Sequence, residues 1–133
     1  MPGSFFDTNV PVYVASRDTA KADRAEAAIA AGGAVSVQVL NELANVARRK
    51  MRMSWAEVHA FLGALRALLT VRPLTVEIHA YGLRLAERCG LSVYDAMIAA
   101  AAIDAGCDTL WSVDMQHEMR LEEGLVILDP FRR

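Results

Sequence analysis

The chain has 133 residues, 54% of them apolar and 23% charged, with a formal net charge of −2. That length predicts one domain, 1–133, able to bury a core without disulfide or metal staples, and the apolar content excludes a disordered chain. The longest apolar run, Ala96 to Ile103, is eight residues between two aspartates, far short of the roughly 20 that span a bilayer. No basic stretch leads into an apolar core and cleavage site at the start of the chain. Cys89 and Cys107 have neither metal-type spacing nor a disulfide framework, so the expectation is two buried thiols in a cytoplasmic protein. The mild acidity does not advertise a nucleic-acid binder. Its distribution is uneven, however: Arg48, Arg49, Lys50 and Arg52 crowd together, and Arg132-Arg133 close the chain. A solvated helix end accounts for such a run as well as a binding surface does, and both readings stay open.

Taken in order, Gly3 to Phe6 reads as a short buried strand, and Pro11 to Ser16 as a helix start or loop beyond it. Ala20 to Ala31 is alanine-rich and helical until Gly32-Gly33 stops it. Ala34 to Val37 is a second strand candidate. From 38 to 50, Val39, Leu43, Val46 and Ala47 recur at helical spacing. Ser54-Trp55-Ala56-Glu57 fits a capping box. The helix it opens carries Trp55, Val58, Phe61, Leu62, Leu65, Leu68 and Leu69 on one stripe, and the two helices form a hairpin turning at Met51 to Met53. Val71 to Leu74 predicts a third strand, and Thr75 caps a helix running to about Arg88, where Cys89-Gly90 ends it. Ser92 to Asp95 fits a second capping box before a helix of small residues that stops at Ala105-Gly106. Thr109 to Val113 and Leu125 to Leu128 are the last strands, and Pro130 ends regular structure. Strands alternating with helices predict an α/β fold, a mostly parallel central sheet covered on both faces.

Four acidic residues recur at the ends of these elements: Asp7, Glu42, Asp95 and Asp114. Each has a structural explanation when taken alone. Asp7 suits a turn with Thr8 and Asn9, Glu42 a solvated helix face, Asp95 the capping box of Ser92, and Asp114 the cap of a following turn. Together they point elsewhere. Ligands of open α/β sheets bind beyond the carboxyl ends of the strands, and carboxylates gathered there are reconciled by a hard divalent cation with oxygen ligands, such as Mg2+. A metal-dependent phosphoryl-transfer enzyme is the reading that follows.

The residues around these acids resemble the PIN-domain ribonucleases, and within them the VapC-type toxins of bacterial toxin–antitoxin pairs. Phe5-Phe6-Asp7-Thr8-Asn9-Val10 is similar to the family's first strand and Asp-Thr/Ser-Asn. Ser36 to Leu43 is similar to the motif that ends in a metal-site glutamate. Ser92-Val93-Tyr94-Asp95 with its alanines resembles the third motif, and Ala105 to His117, through Ser112-Val113-Asp114, the fourth. Ile127-Leu128-Asp129-Pro130-Phe131 has the family's tail form. The resemblance spans essentially the whole chain and implies a PIN-like α/β/α sandwich. It implies catalytic, metal-holding roles for Asp7, Glu42, Asp95 and Asp114, and supporting polar roles for Thr8, Asn9 and Ser112. One departure stands out: where some members carry a further aspartate two positions after the fourth acid, this chain has Gln116.

The resemblance further implies an endoribonuclease using Mg2+ or Mn2+, cutting RNA to leave a 5′-phosphate and a 3′-hydroxyl. Its partners would be a VapB-type antitoxin and a second copy of the chain in a homodimer. A bound cation activates water and neutralises phosphate charge, with Asp95 or Asp114 orienting that water or taking its proton. Three rivals compete with this reading. An aspartate-nucleophile phosphatase wants an aspartate where Asn9 stands. A receiver domain wants a late lysine, and none follows Lys50. A PIN-fold module that only binds a protein partner need not keep all four acids. His117 reads as a polar loop residue beside the site, His59 and His79 carry no motif, and the methionines are adaptable packing residues. Trp55, Phe61 and the Met51–Met53 turn are expected to reach the surface as a protein interface.

Overall fold

Five three-residue strands make one parallel sheet: β1 (Ser4–Phe6), β2 (Ala34–Ser36), β3 (Thr70–Arg72), β4 (Thr109–Trp111) and β5 (Val126–Leu128), in the order β3-β2-β1-β4-β5. The computed structural model describes residues 3–132, so Arg133 of the terminal basic pair lies outside the described residues. Around the sheet are α1 (Asn9–Val14), α2 (Thr19–Ala30), α3 (Val37–Arg49), α4 (Trp55–Leu68), α5 (Val76–Cys89) and α6 (Val93–Asp104). From β1 the chain steps outward to β2 and β3 through α1 to α4. It then jumps back through α5 and α6 to β4, on the other side of β1. Because parallel crossovers are right-handed, the change of direction puts the two helix groups on opposite faces. The result is an α/β/α sandwich with α6 packed across both β2 and β4.

Element ends follow local chemistry. Side-chain caps open most helices: Asp18 accepts from the Lys21 amide at 3.2 Å, Ser36 from Val39 at 3.3 Å, Ser54 from Glu57 at 3.1 Å, Thr75 from Ile78 at 3.1 Å and Ser92 from Asp95 at 3.2 Å. Pro11 sits in the first turn of α1, where a missing N–H breaks no helical bond. Every strand differs from expectation at one end or both, β1 only by starting at Ser4 instead of Gly3. β2 stops at Ser36 because that residue is already the cap of α3. β3 is Thr70–Arg72 rather than Val71–Leu74, since Pro73 has no N–H for the ladder. β4 stops at Trp111, where Ser112 turns toward β1. β5 starts at Val126 because the Leu125 amide closes a short 3-10 turn onto the Glu122 carbonyl at 3.2 Å.

Phe5, Phe6, Val35, Leu110 and Ile127 of the sheet are buried with Leu43, Leu85 and Ile98 of the helices. Every residue from Ala96 to Ala102 is buried, which small side chains allow without forcing α6 away from the sheet. Gly82 of α5 is needed for that packing: a Cβ there would lie 2.5 Å from the Met97 Sδ. The predicted stripe of α4 is only partly inward. Val58, Leu65 and Leu69 are buried, whereas Trp55 is 61% and Leu68 57% exposed. The stripe is wider than the surface available to cover it. Cys107 is buried, and that burial pushes its thiol pKa up. Cys89, expected to be buried, is half-buried at the end of α5. Among the described residues no helix is long and apolar enough to cross a membrane.

Candidate active site

The direction of strand order reverses between β1 and β4, and a crevice opens beyond the carboxyl ends of strands at such a point. Asp7 is the first residue past β1. Its backbone N–H donates to the Trp111 carbonyl at 2.9 Å, extending the β1–β4 pairing into the crevice. Its side chain is held from two sides: Oδ1 accepts from the Thr8 amide at 2.7 Å and Oδ2 from the Ser112 hydroxyl at 2.8 Å. The Ser112 oxygen also accepts from the Met115 amide at 3.1 Å, so it is fixed in turn. Asp7 and Ser112 are only 4% and 0% exposed. This is a positioned carboxylate, well beyond a turn residue.

The other acids reach the same place from three more elements. Glu42, half-buried on α3, accepts at Oε2 from the Thr8 hydroxyl at 3.2 Å and from the Gln38 amide at 3.3 Å. Asp114, exposed on the loop after β4, accepts from the Asn9 side-chain amide. Asp95, half-buried, lies in the first turn of α6. Electrostatics couple the cluster. The Asp7 carboxyl is pushed up to about 6, chiefly because burial disfavours its charge; bonds from Ser112 and Thr8 oppose this, and the charges of Asp95 and Asp114 add to it. A buried carboxyl with two further carboxylates close enough to raise it is a place where a cation would relieve the repulsion.

The sequence model of the PIN domain matches residues 4–118, a span that holds all four acids. The chain belongs to the PIN-domain family. No curated protein matches it in sequence. Among solved structures it is similar to a toxin–antitoxin complex from Klebsiella pneumoniae, with TM-score 0.74 at 19% identity over 98% of this chain and 99% of that one. It is also similar to VapC20 of Mycobacterium tuberculosis, a sarcin-ricin-loop-cleaving toxin (0.68, 18%, 84% and 89%). A third is VapBC2 of Rickettsia felis bound to a fragment of its promoter DNA (0.67, 21%, 95% and 97%). At these identities the likeness is one of fold.

PIN-domain nucleases generally use divalent cations, and the donor set of this PIN domain suits one: carboxylate oxygens, with no thiol or imidazole among them. Among the described residues, however, no three acidic, His or Cys side chains close around a single point. The acids are gathered loosely instead of forming a finished cage. Thr8 bonds two of them, Asp7 through its amide and Glu42 through its hydroxyl, and Asn9 and Ser112 bond one each. Asn9, which occupies the place of a phosphatase's second aspartate, is a donor to Asp114. His117 accepts the Asp129 amide at Nδ1 (2.9 Å), tying the loop after β4 to the chain beyond β5. Gln116 is exposed, and its carbonyl accepts from the Met119 amide in a turn. Sequence reasoning misses Gln38, which bonds both Glu42 and the Tyr94 carbonyl (3.2 Å) and so ties α3 to the start of α6. A signal for it exists: it stands four residues before Glu42, on the same helix face.

Proposed function

We propose that this PIN domain is a Mg2+- or Mn2+-dependent endoribonuclease and the toxin of a toxin–antitoxin pair. The observation that supports the reading is a buried Asp7 beyond β1 that feels the charges of Asp95 and Asp114, with Glu42 bonded to Thr8 and Asp114 to Asn9 directly after it. Asp7, Glu42, Asp95 and Asp114 would hold the cation. When bound, it supplies acidity to a water and neutralises charge on the scissile phosphate. The chain's own residues do the rest. Ser112 and the Thr8 amide aim the Asp7 carboxylate. The Thr8 hydroxyl and Gln38 hold Glu42, and Asn9 holds Asp114. Asp95 sits at the positive end of α6, and either it or Asp114 accepts the proton of the attacking water. The products are a 5′-phosphate and a 3′-hydroxyl.

The partners proposed are a VapB-type antitoxin and a second copy of the chain, in the cytoplasm. Support for the first comes from structural neighbours that are toxin–antitoxin complexes. An apolar groove of about 330 Å³ between α2 and α4, lined by Val14, Ile29, Phe61, Leu65 and Leu68, is suited to an antitoxin tail. The test is cleavage of structured RNA by purified protein with Mg2+, with EDTA, and by Asp7→Asn. Turnover is expected only for the wild type with cation. Undiminished cutting in EDTA and by the variant would sink the metal-nuclease reading. Induced expression should also arrest growth, and Glu42→Gln should relieve the arrest.

A further inference from the structure

One stripe of α3 leads away from the acids. At 3.6 residues per turn, Gln38, Glu42, Asn45 and Arg49 fall within about 60° of one another around the helix. Exposure rises along it: Gln38 and Glu42 are half-buried, Asn45 and Arg49 exposed. Gln38 joins the stripe to Tyr94, which is 71% exposed next to Asp95. At the far end lies a pocket of about 470 Å³ lined by Ala44, Asn45, Arg48, Arg49 and Trp55. The Arg48 guanidinium sits over the Trp55 ring at 4.3 Å and donates to the Met53 carbonyl at 2.8 Å. Trp55 is thereby oriented, yet 61% of it remains exposed. None of Arg48, Arg49, Lys50 and Arg52 forms an ion pair among the described residues.

We propose that this stripe and pocket are a subsite for single-stranded RNA, with Arg49 on a backbone phosphate and Trp55 with Arg48 as a stacking platform for a base. The inference rests on the endoribonuclease reading above and extends it by naming where the strand lies. Arg49 is seven residues from Glu42, roughly 10 Å along the helix, so the strand would pass from the acids to the pocket without leaving α3. Single-strand binding that is indifferent to base sequence uses this pairing of cationic groove and aromatic face. A helix dipole explains cations at the end of α3. It does not explain a tryptophan held open by one of them, nor a polar stripe that runs back to the acids. The pocket around Trp55 is lined by two guanidiniums, the Asn45 amide and Ala44, which sets a cationic pair beside an aromatic face as a phosphate-linked strand of bases requires.

The test is fluorescence anisotropy with a labelled single-stranded RNA oligonucleotide, using Asp7→Asn protein so that nothing is cut. Adding Arg49→Glu or Trp55→Ala should each weaken binding about tenfold. Arg49→Glu should also reduce the slope of log affinity against log salt by about one, while Glu57→Gln changes neither. Both residues are exposed, and thermal melts confirm that the variants fold. Unchanged affinities overturn the subsite, and leave the nuclease standing if the wild type still cuts. Unchanged affinities with a loss of dimer in sedimentation would make this surface a protein interface. RNA bound through Arg49 and Trp55 but never cut by the wild type would leave the subsite and remove the nuclease. No binding and no cutting removes both.

Discussion

Ser54–Glu57 and Ser92–Asp95 are the same four-residue signal, a hydroxyl and an acid three positions on, and the structure uses them differently. Both serines accept the amide of the acid, at 3.1 and 3.2 Å. Glu57 completes the box: its carboxylate accepts the Ser54 N–H at 2.8 Å, and that bond holds its pKa below the ordinary value. Asp95 does not return the bond. Its side chain is one methylene shorter, and its charge is felt instead at Asp7. A cap can be complete with one partner, and the second acid is then available for other work. The motif predicts the helix start in both cases and the fate of the acid in neither.

Activity separates the two acids most strongly. Asp95→Asn keeps the amide that Ser92 caps and removes only the charge, so RNA cleavage should fall by roughly a hundredfold or more with the melting temperature held or raised. Glu57→Gln should leave cleavage unchanged. Equal rates for the two variants would mean that Asp95 is only a helix-start residue.

Asp7 sharpens the contrast through stability and pH. Its folded carboxyl is pushed up to about 6 from an ordinary 3.8. A raised carboxyl favours the folded state only while protonated in both states, so the protein loses stability as pH rises from about 4 to above 6. In EDTA, Asp7→Asn should therefore be more stable than the wild type near neutral pH, by about 1–3 kcal/mol, and the gap should close below about pH 4. Excess Mg2+ should then stabilise the wild type by mass action and leave the variant unmoved. Chemical denaturation across this pH range decides it; a gap independent of pH would show that the charge is not the cause.

Much of this contrast between elements and contacts is legible in the sequence, and the rest has a physical reason for being hidden. The alternation of elements and the caps at Asp18, Ser36, Ser54, Thr75 and Ser92 are local chemistry, and most elements lie within a residue or two of where the pattern predicts them. The strand limits move where one side chain has a second role, with Ser36 acting as a cap, Pro73 lacking a donor and Ser112 turned onto Asp7. The four acids are readable as candidates because element ends are readable, and the strand order then sets the ends of β1 and β4, which Asp7 and Asp114 follow, side by side. What sequence does not supply is contact. Gln38 joins two helices, Asn9 reaches Asp114 across most of the chain, and Trp55 leaves the stripe it shares with Val58 and Leu65. Such facts depend on which helices are neighbours, and periodicity does not report that.

Removing the two serine hydroxyls separates capping from chemistry within one motif. Ser54→Ala and Ser92→Ala each remove a cap, and each should cost about 1 kcal/mol of stability. Only Ser92→Ala should also slow cleavage, because the amide it releases belongs to Asp95, and a loosened first turn of α6 lets that carboxylate drift from Asp7. The loss should be modest, about threefold to tenfold, and should appear in kcat more than in KM, since the strand's own contacts lie elsewhere. Ser92→Thr keeps the capping oxygen and should retain the rate, whereas restoring the stability of Ser92→Ala by a distant mutation should not restore it. If Ser92→Ala and Ser54→Ala slow cleavage equally, the rate follows global stability and the two caps are alike after all.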